Sequence, residues 1–414
     1  MAQLSNDCFA FGGELMSVDA ARALVAERLA PVAAPEEVPL VEADGRVLAE
    51  DIVSAVDLPP FDNSAVDGYA VRFLDLAQGA ETVLPVAGRV AAGGTLGGGA
   101  RPGQAVRIFT GAPMPAGLDT VFMQEDVRLD GGAVVLPPGL KAGANRRPAG
   151  EDLKRGALAL AAGRRLSPRD IALLAALGLD RVPVRRPLRV AVFSTGDEVV
   201  SPGAPLGPAQ LYDANRFMLR AWLSRLGCRA TDLGILRDEP RALAQALARA
   251  AADHDLILTS GGVSTGEEDH VKAAVEAAGA LTFWRIAIKP GRPVAMGVVA
   301  GTPLLGLPGN PVAVFVTFAH LARAVIARLL GEDFSPPRAY PVRAGFAYRK
   351  KEGRREYVRV RIEEGNGALV TQKHPREGAG VITSLTETDG LVELPEGVVR
   401  VEPGETLRFL PYDL

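Results

Sequence analysis

The sequence predicts a multidomain protein of the α/β plus β class, and three observations support this. A chain of 414 residues is too long for one ordinary hydrophobic core. Apolar strand patterns alternate with helical patterns through residues 186–332, which indicates a mostly parallel α/β sheet domain. Short strand patterns broken by Gly and Pro fill residues 51–150 and 333–414. We therefore expect, beside the sheet domain, an inserted small β-module, a small helical domain and a C-terminal β-barrel.

The first two domains are interleaved along the chain. Helical patterns at residues 17–30 and 168–177 begin at the candidate caps Ser17 and Ser167, and they belong to a discontinuous, mixed helical domain of residues 1–50 and 151–185. Because this domain lies on both sides of residues 51–150, the β-module is predicted to be an insertion. Its strands are expected at residues 83–90, 105–109, 120–123 and 133–136.

The remaining chain divides at Ser335-Pro336-Pro337. Before it, strands are predicted at residues 189–193, 230–233, 256–258, 281–286, 294–296 and 304–307. Helices are predicted at residues 215–226 and 240–252, after Asp269, and at residues 312–330. Loops that follow parallel strands gather at the carboxyl edge of the sheet, where such sheets bind ligands. After the boundary, alternating patterns at residues 342–348, 356–362, 368–371, 390–394 and 406–410 predict the barrel.

Composition excludes several classes of protein. With 46 basic and 49 acidic residues the net charge is −3, which gives no electrostatic surplus for nucleic acid. Cys8 and Cys228 stand in unrelated contexts and the four histidines lack metal-ligand spacing, so neither a disulfide framework nor a zinc site is predicted. The apolar residues 311–330 carry one histidine and two arginines at helical spacing, which favours a buried helix over a membrane span. We expect a cytoplasmic protein that binds neither nucleic acid nor membrane.

The most informative segment is a Gly-rich turn, residues 259–269, between an apolar strand and a helix. Gly261 and Gly262 allow backbone N–H groups to approach an anion. The turn adds the hydroxyls of Ser260, Ser264 and Thr265 and the carboxylates of Glu267, Glu268 and Asp269. Carboxylates near a phosphate require a cation between them, so the segment predicts a phosphate site that also holds Mg²⁺. The alternative is an ordinary turn in which Asp269 caps the helix.

Four other segments follow strands at the same predicted edge: residues 194–198, 237–239, 285–293 and 307–311. They bring together the acids Glu198 and Asp238 with Asp269, and the cations Lys289 and Arg292. Each segment alone is compatible with a loop or a helix cap. Acids that hold a metal beside cations that bind oxyanions are typical of phosphoryl or pyrophosphate chemistry, and we interpret these three acids as candidate metal ligands.

Seven motifs in a fixed order carry a family resemblance over nearly the whole chain. They are PFDNSAVDGYAV at residues 60–71, IFTGAP at 108–113, GED at 150–152, FSTGDE at 193–198, SGGVS at 260–264, KPG at 289–291 and LPGNP at 307–311. Together they resemble the molybdopterin molybdenumtransferases, the MoeA-type proteins that match the gephyrin E domain.

The resemblance implies the last step of molybdenum cofactor assembly. In that step molybdate enters the dithiolene of adenylylated molybdopterin, the pyrophosphate bond is cleaved and AMP is released, with Mg²⁺ required. It also implies four domains and an elongated homodimer, in which the α/β domain of one subunit meets the β-module of the other. The upstream molybdopterin adenylyltransferase and acceptor molybdoenzymes are the protein partners it suggests.

The resemblance also assigns residues. Its catalytic positions fall on Asp67, Thr110, Asp152, Glu198, Asp238, Asp269, Pro308 and Pro311. The positions that bind substrate or molybdate fall on Ser260, Gly261, Gly262, Ser264, Lys289, Arg292, Arg359 and Ser384, with Pro293 beside them. Two positions depart from the family: Ala313 stands where Ser is common, and His270 where Tyr is frequent. The first departure removes one hydroxyl donor to an oxyanion.

Three alternatives stay open at this point. An adenylyltransferase acting one step earlier shares the α/β domain, although the extra domains and the LPGNP turn favour the molybdenumtransferase. A non-catalytic, gephyrin-like scaffold would have no need of the acids, all of which are present here. Tungstate and molybdate are nearly the same size, so the sequence does not separate them.

Overall fold

The computed structural model describes residues 15–237, 239–262, 275, 279–365 and 367–412. Helix α1 (Val18–Arg28) begins as predicted at Ser17, whose Oγ accepts a hydrogen bond from Ala20 N at 3.1 Å. The buried face of α1 includes Val18 and Val25, and it joins the main core of the α/β domain. Two short strands follow, β1 (Pro35–Pro39) and β2 (Ile52–Val53).

The chain then forms the expected β-structure. Its strands are β3 (Asn63–Ser64), β4 (Gly68–Val71), β5 (Thr82–Val90), β6 (Ala105–Ile108), β7 (Thr120–Met123), β8 (Arg128–Asp130), β9 (Ala133–Leu136) and β10 (Arg146–Arg147). Six of them make one sheet in the order β7-β4-β6-β5-β9-β8, and β3 pairs with β10. All pairings are antiparallel except β5 with β6.

The chain next returns to its N-terminal strands. β11 (Leu158–Leu160) pairs with β2, and β12 (Arg181–Arg185) pairs with β1, both antiparallel. Between them lies α2 (Pro168–Ala176), whose predicted cap Ser167 forms a capping box with Asp170. The sequence predicted that residues 151–185 belong to a mixed helical domain, and α2 is the one helix in this segment, all of which the structure describes. The sequence prediction missed β1 and β12 because both contain proline, which weakens a strand pattern although short paired edges tolerate it.

The α/β domain contains a six-stranded sheet in the order β16-β13-β17-β21-β20-β18. Its elements, in chain order, are β13 (Arg189–Thr195), β14 (Val199–Val200), β15 (Leu211–Tyr212), α3 (Asn215–Arg225), β16 (Arg229–Leu236), α4 (Pro240–Asp253), β17 (Leu256–Ser260), β18 (Gly279–Arg285), β19 (Ile288–Lys289), β20 (Pro293–Val299) and β21 (Thr302–Leu307). The four strands β16, β13, β17 and β21 are parallel. Strand β20 pairs antiparallel with β21 and with β18, so β20 alone runs in the opposite direction. The sheet is therefore mostly parallel, as predicted.

Helix α5 (Pro311–Leu330) follows β21 and contains a π-helical segment at Phe318–Ala322. Among the residues that the structure describes, it is the one helix long and apolar enough to cross a membrane. However, 89% of its apolar window is buried inside the protein. Its side chains pack with those of α1 in one core cluster. This confirms the prediction of a buried helix.

The C-terminal strands close into a barrel. They are β22 (Tyr340–Ala344), β23 (Tyr348–Arg349), β24 (Arg355–Gly365), β25 (Ala368–Lys373), β26 (Gly390–Leu394), β27 (Arg400–Val401) and β28 (Thr406–Pro411), with the short helix α6 (Thr383–Thr386). The pairings run β24-β25-β22-β28-β26 and return from β26 to β24, which makes five strands a closed ring. Strand β19 of the preceding domain pairs in parallel with the first two residues of β24.

A buried ion-pair cluster holds the start of β17, at the sheet edge opposite the carboxyl ends. Asp255 is fully buried and accepts hydrogen bonds from Arg186 Nη1 at 2.7 Å and Arg189 Nη2 at 3.0 Å. Burial alone would raise the pKa of Asp255, but the hydrogen bonds from Arg186 and Arg189 outweigh it and lower the pKa from 3.8 to about 2.

Replacing Asp255 by Asn should therefore lower the free energy of unfolding by about 3 kcal/mol near pH 7, because two guanidinium groups lose their charge partner. The pKa is lower in the folded state, so this stabilisation is complete above the unfolded value of 3.8 and is lost as pH falls towards 2. Urea unfolding of both proteins at pH 7 and pH 3 measures it. Asp253→Asn, at an exposed position of α4, is the control. An equal loss in both variants would contradict the prediction.

Candidate active site

A cavity of about 1030 Å³ lies between the carboxyl edge of the α/β sheet and the C-terminal barrel. From the sheet it is lined by residues after β13, β17 and β21, and from the barrel by β24 and its neighbours. The sheet side includes Thr195, Glu198, Gly261, Gly262 and Pro308. The barrel side includes Tyr348, Glu356, Arg359, Lys373, His374 and Glu377. The location agrees with the ligand edge predicted from the alternating pattern.

The Gly-rich turn is packed directly on the neighbouring strand ends. Gly261 N donates to Leu307 O at 3.2 Å, and Gly261 has a φ of +86°. A Cβ at this position would lie 2.9 Å from Thr195 O. The turn therefore needs glycine for its backbone conformation and for its close approach to β13. The backbone of Gly261 and Gly262 lines the cavity.

The hydroxyl of Ser260, a predicted donor, forms hydrogen bonds with groups of the protein itself. Its Oγ accepts from Asn215 Nδ2 at 2.8 Å and donates to Pro308 O at 3.3 Å. The same amide of Asn215 donates to Gly309 O at 2.6 Å. Asn215 thus ties the turn after β17 to the turn after β21. Ser260 supports the cavity wall and is not among its lining residues.

The cationic segment, residues 289–293, is held against α5. Gly291 has a φ of +115°, and a Cβ there would lie 2.5 Å from Thr317 Cγ2. Ile286 N, which precedes the segment, donates to Arg292 O at 3.0 Å. Ala313, the departure from the family pattern, lines the cavity beside this segment with a methyl group and no hydroxyl.

Lys289 is an ion-paired cation. Its Nζ donates to Glu356 Oε2 at 3.0 Å and lies 3.2 Å from the Tyr348 hydroxyl. Burial alone would lower the pKa of Lys289, but the hydrogen bonds to Glu356 and Tyr348 outweigh it and raise the pKa. The ammonium is therefore charged at neutral pH, and part of its charge is offset by Glu356.

Two arginines face the cavity with uncommitted donors. Arg292 is exposed, and none of the described residues pairs with its guanidinium. Arg359 is buried; its Nη2 donates to Arg376 O at 3.0 Å, while its Nε has no partner within the described part of the chain. Burial lowers the pKa of Arg359, although a guanidinium remains charged in proteins. Lys373 adds another cation and pairs with Glu377. This cavity wall is suited to an anionic ligand.

The predicted metal ligands are only partly described. Glu198 is exposed and lines the cavity at the end of β13. Asp238 and Asp269 lie outside the described residues, as does Ser264. Within the described ranges no group of three His, Cys, Asp or Glu side chains is arranged to hold a metal ion. The three-acid cluster therefore stays a prediction.

Asp67 and Thr110 form a pair in the β-module. Asp67 Oδ1 accepts from the Thr110 backbone N–H and from its hydroxyl, each at 2.8 Å. The hydrogen bond from the Thr110 backbone lowers the pKa of Asp67 most, and the hydrogen bond from the Thr110 hydroxyl lowers it further. Asp152 is exposed in a loop, and its own backbone N–H donates to Leu58 O. None of the three is among the residues lining the cavity of the same chain.

The remaining predicted residues divide between cavity and support. Pro308 lines the cavity, whereas Pro311 is the first residue of α5 and is not among the lining residues. Ser384 is buried in α6, where its hydroxyl donates to Val381 O. The structure therefore brings Glu198, Pro308, Lys289, Arg292 and Arg359 together around the cavity.

Sequence reasoning missed most of the barrel wall. Tyr348, Glu356, Lys373, His374 and Glu377 line the cavity but belong to ordinary alternating strands and their loops. A local signal did exist for Glu356, because an acid stands among buried residues on β24. Buried charges require partners, so this position could have been singled out.

Comparisons with known proteins agree with this architecture. Residues 16–178 match the MoeA N-terminal region (domain I and II), residues 191–328 a probable molybdopterin binding domain, and residues 341–412 the MoeA C-terminal region (domain IV). The crystal structure of a molybdopterin biosynthesis moeA protein from Pyrococcus horikoshii OT3 is similar over 96% of this chain and 100% of that one. Its TM-score is 0.82 at 29% identity.

Two relatives match at the level of sequence. A molybdopterin molybdenumtransferase of Haemophilus influenzae is 39% identical over 403 residues, which are 96% of this chain and 99% of that protein. Molybdopterin molybdenumtransferase 2 of Mycobacterium tuberculosis is 36% identical over 387 residues, 90% of this chain and 94% of its own. The chain therefore belongs to the molybdopterin molybdenumtransferase family.

Proposed function

We propose that this protein inserts molybdate into adenylylated molybdopterin and releases AMP. The observation that carries the proposal is the cationic cavity at the carboxyl edge of the sheet, bounded by the Gly261–Gly262 turn and by Lys289, Arg292 and Arg359. An adenylylated pterin carries a pyrophosphate and molybdate is a dianion, so both substrates require such donors. The names of the full-length relatives support the same activity.

The residues of this chain act by binding and orientation. Gly261 and Gly262 carry no side chains, so an anion can approach the backbone of the turn after β17 at the sheet edge. The N–H of Gly261 is itself bonded to Leu307 O, which fixes the turn for this approach. Arg359 lines the barrel wall and contributes the charge of its guanidinium. Phosphoryl transfer relies chiefly on positioning and charge stabilisation, and this site supplies donors from two walls.

Magnesium belongs to the proposal through Glu198. Its exposed carboxylate provides the hard oxygen donor that Mg²⁺ prefers, and it lies on the rim of the same cavity. Asp238 and Asp269 are proposed to complete the ligand set. When bound, Mg²⁺ would neutralise charge on the pyrophosphate.

Two alternatives receive less support. An adenylyltransferase-like activity would need only the molybdopterin-binding domain, whereas this chain also matches the N-terminal and C-terminal regions of MoeA. A scaffold without activity leaves unexplained why the cavity retains Glu198 beside Arg292 and Arg359.

The decisive experiment incubates the purified protein with adenylylated molybdopterin, Mg²⁺ and molybdate, and measures AMP by chromatography. We expect AMP release that requires all three additions and stops on chelation by EDTA. Cofactor formation is scored in the same samples by activation of an apo-molybdoenzyme. Absence of AMP release by a folded protein would refute the proposal, and release without EDTA sensitivity would refute the role of Mg²⁺.

The proposed assembly is a homodimer whose β-modules complete the neighbouring sites. Asp67, Thr110 and Asp152 match the catalytic positions of the family but do not line the cavity of their own chain. A second subunit is one way to bring them to it. We further propose the upstream adenylyltransferase and acceptor molybdoenzymes as protein partners.

Replacing Arg292 by Ala should raise the molybdate concentration for half-maximal turnover about tenfold, because a charge-assisted donor without a protein partner is lost. The affinity for the adenylylated pterin should change little. Separate titrations of the two substrates measure this, with Arg292→Lys as a variant that keeps the charge. If Arg292 instead holds a phosphate, affinity for the pterin falls and the molybdate dependence stays unchanged.

A further inference from the structure

Lys289 is fixed to the barrel through its backbone. It belongs to β19, a two-residue strand of the α/β domain that pairs in parallel with barrel strand β24, with Lys289 opposite Glu356. Next to this pair, Arg355 N donates to Ala287 O at 2.8 Å. The segment that carries the cation is therefore clamped to the strand that carries its carboxylate partner.

Glu356 is an unusual residue for this place. It is 1% exposed, yet it lines the cavity. Its Oε2 accepts hydrogen bonds from Lys289 Nζ at 3.0 Å and from the Tyr348 hydroxyl at 2.9 Å. Its Oε1 has no hydrogen-bond partner among the described residues, and Arg354 Nη2 lies 3.6 Å away. A buried carboxylate is costly unless it is paired, so its presence beside a candidate anion-binding lysine calls for a reason.

We propose that Glu356 is a positioning residue that fixes the place and the charge of the Lys289 ammonium. The inference rests on the proposed function in so far as Lys289 binds a substrate anion. Glu356 itself faces the ammonium and would repel an oxyanion, so it acts through Lys289. Tyr348 completes the arrangement by donating to the same carboxylate oxygen that Lys289 uses.

The other charged groups around Lys289 determine how removal of the Glu356 carboxylate would change the pKa of Lys289. Arg292 lies on the same segment as Lys289, Arg354 lies directly before β24, and Arg359 lies on β24. Lys373, on the neighbouring strand, pairs with Glu377. Lys289 Nζ and Lys373 Nζ lie 5.8 Å and 5.5 Å from the centroid of the Tyr348 ring. Without Glu356 the surroundings are mainly cationic and partly buried. Both effects lower the pKa of a lysine.

The first test reads Lys289 directly and needs no turnover. Lys289 is 43% exposed at its side chain, so an acylating reagent can reach it, and its modification is followed by mass spectrometry as a function of pH. In Glu356→Gln the pH of half-modification should move to lower values, because the carboxylate that opposes the burial effect is gone. Glu363→Gln, on an exposed position of the same strand, should titrate like the wild type. An unchanged or raised pH of half-modification in Glu356→Gln would overturn the proposal.

A milder variant covers the case in which Glu356→Gln does not fold, which thermal unfolding would reveal. Tyr348→Phe removes one hydrogen-bond partner of Lys289 and of Glu356 while keeping the ring. It should shift the titration of Lys289 in the same direction by less. No shift in Tyr348→Phe would then count against the proposal.

The second test uses catalysis. Glu356→Ala should lower kcat/KM for molybdate about tenfold at neutral pH, since the ammonium loses a charged hydrogen-bond partner. Glu356→Gln, whose amide oxygen can still accept from Lys289, should keep most activity at neutral pH and lose it earlier than the wild type as pH rises. Tighter molybdate binding in Glu356→Gln at every pH would show that the carboxylate only repels the anion. A wild type without AMP release would refute the proposed function, yet the titration of Lys289 would still decide the role of Glu356.

Discussion

Replacing Gly261 by Ala is expected to reduce AMP release about a hundredfold, because displacement of a catalytic wall by about 1 Å has effects of that size. Gly261 has a φ of +86°, and the new Cβ would lie 2.9 Å from Thr195 O, a backbone atom that cannot rotate away. The turn after β17 must then move from the end of β13, and with it the backbone donors that line the cavity. Turnover and thermal unfolding of the variant measure the two consequences.

The control separates the contact from the backbone conformation. Gly178, which follows α2, has a φ of +82°, and a Cβ there would meet no atom within 4 Å. Gly178→Ala should lower stability by about 1 kcal/mol through the left-handed conformation alone, and activity should be retained. If Gly261→Ala also loses about 1 kcal/mol and keeps its activity, the close approach to Thr195 has no catalytic consequence.

Mixing two inactive proteins is expected to restore activity if the site is shared between subunits. Asp67→Ala and Glu198→Ala should each lose most AMP release, since each removes an acid proposed to act at the site. In a mixed dimer one site carries both substitutions and the other carries neither. Random reassociation of equal amounts should then recover about a quarter of wild-type activity, because half of the dimers are mixed and each has one intact site.

Activity is recovered only if Asp67 and Glu198 reach the same site from different subunits. A mixture of Glu198→Ala with Arg292→Ala is the control, because both residues line the cavity of the same chain. Its mixed dimers have one defect in each site and should regain nothing beyond the average of the parents. Mass spectrometry verifies that mixed dimers have formed in both mixtures, so that the two activities can be compared. No recovery with Asp67→Ala in verified mixed dimers would indicate a site built within one chain.

Local patterns predicted the sheet side of the cavity well. The turn at Gly261 and the segment from Lys289 to Pro293 were found because glycine, proline and charge follow strands whose order the alternating pattern indicates. Helix α5 was predicted as buried because its charges recur at helical spacing in an apolar stretch. The capped starts of α1 and α2 were found from Ser17 and Ser167, since a side chain that bonds its own first turn leaves a short-range signal.

The barrel side could not be predicted in this way. Lys289 and Glu356 are 67 positions apart, and their contact depends on the packing of two domains. Alternation in β24 indicates which residues face inward, but not which neighbouring domain covers the strand. Ser260 shows a further limit, because the motif from which a ligand-binding role was predicted does not reveal that the hydroxyl bonds Asn215 and Pro308 within the protein.

The pairing of β19 with β24 limits how such proteins can exchange their C-terminal domains by recombination during evolution. The proline-rich segment beginning at Ser335 looks like a convenient crossover point, yet the barrel sheet continues into a strand that is encoded well upstream of it. A recombinant that acquires a foreign barrel at this point keeps its own β19, and the new β24 must match it in register and in side chains. A gene truncated there would leave β19 with unpaired backbone groups and expose Phe315, which packs against Tyr412. The last domain is therefore inherited most readily together with the loop that it holds.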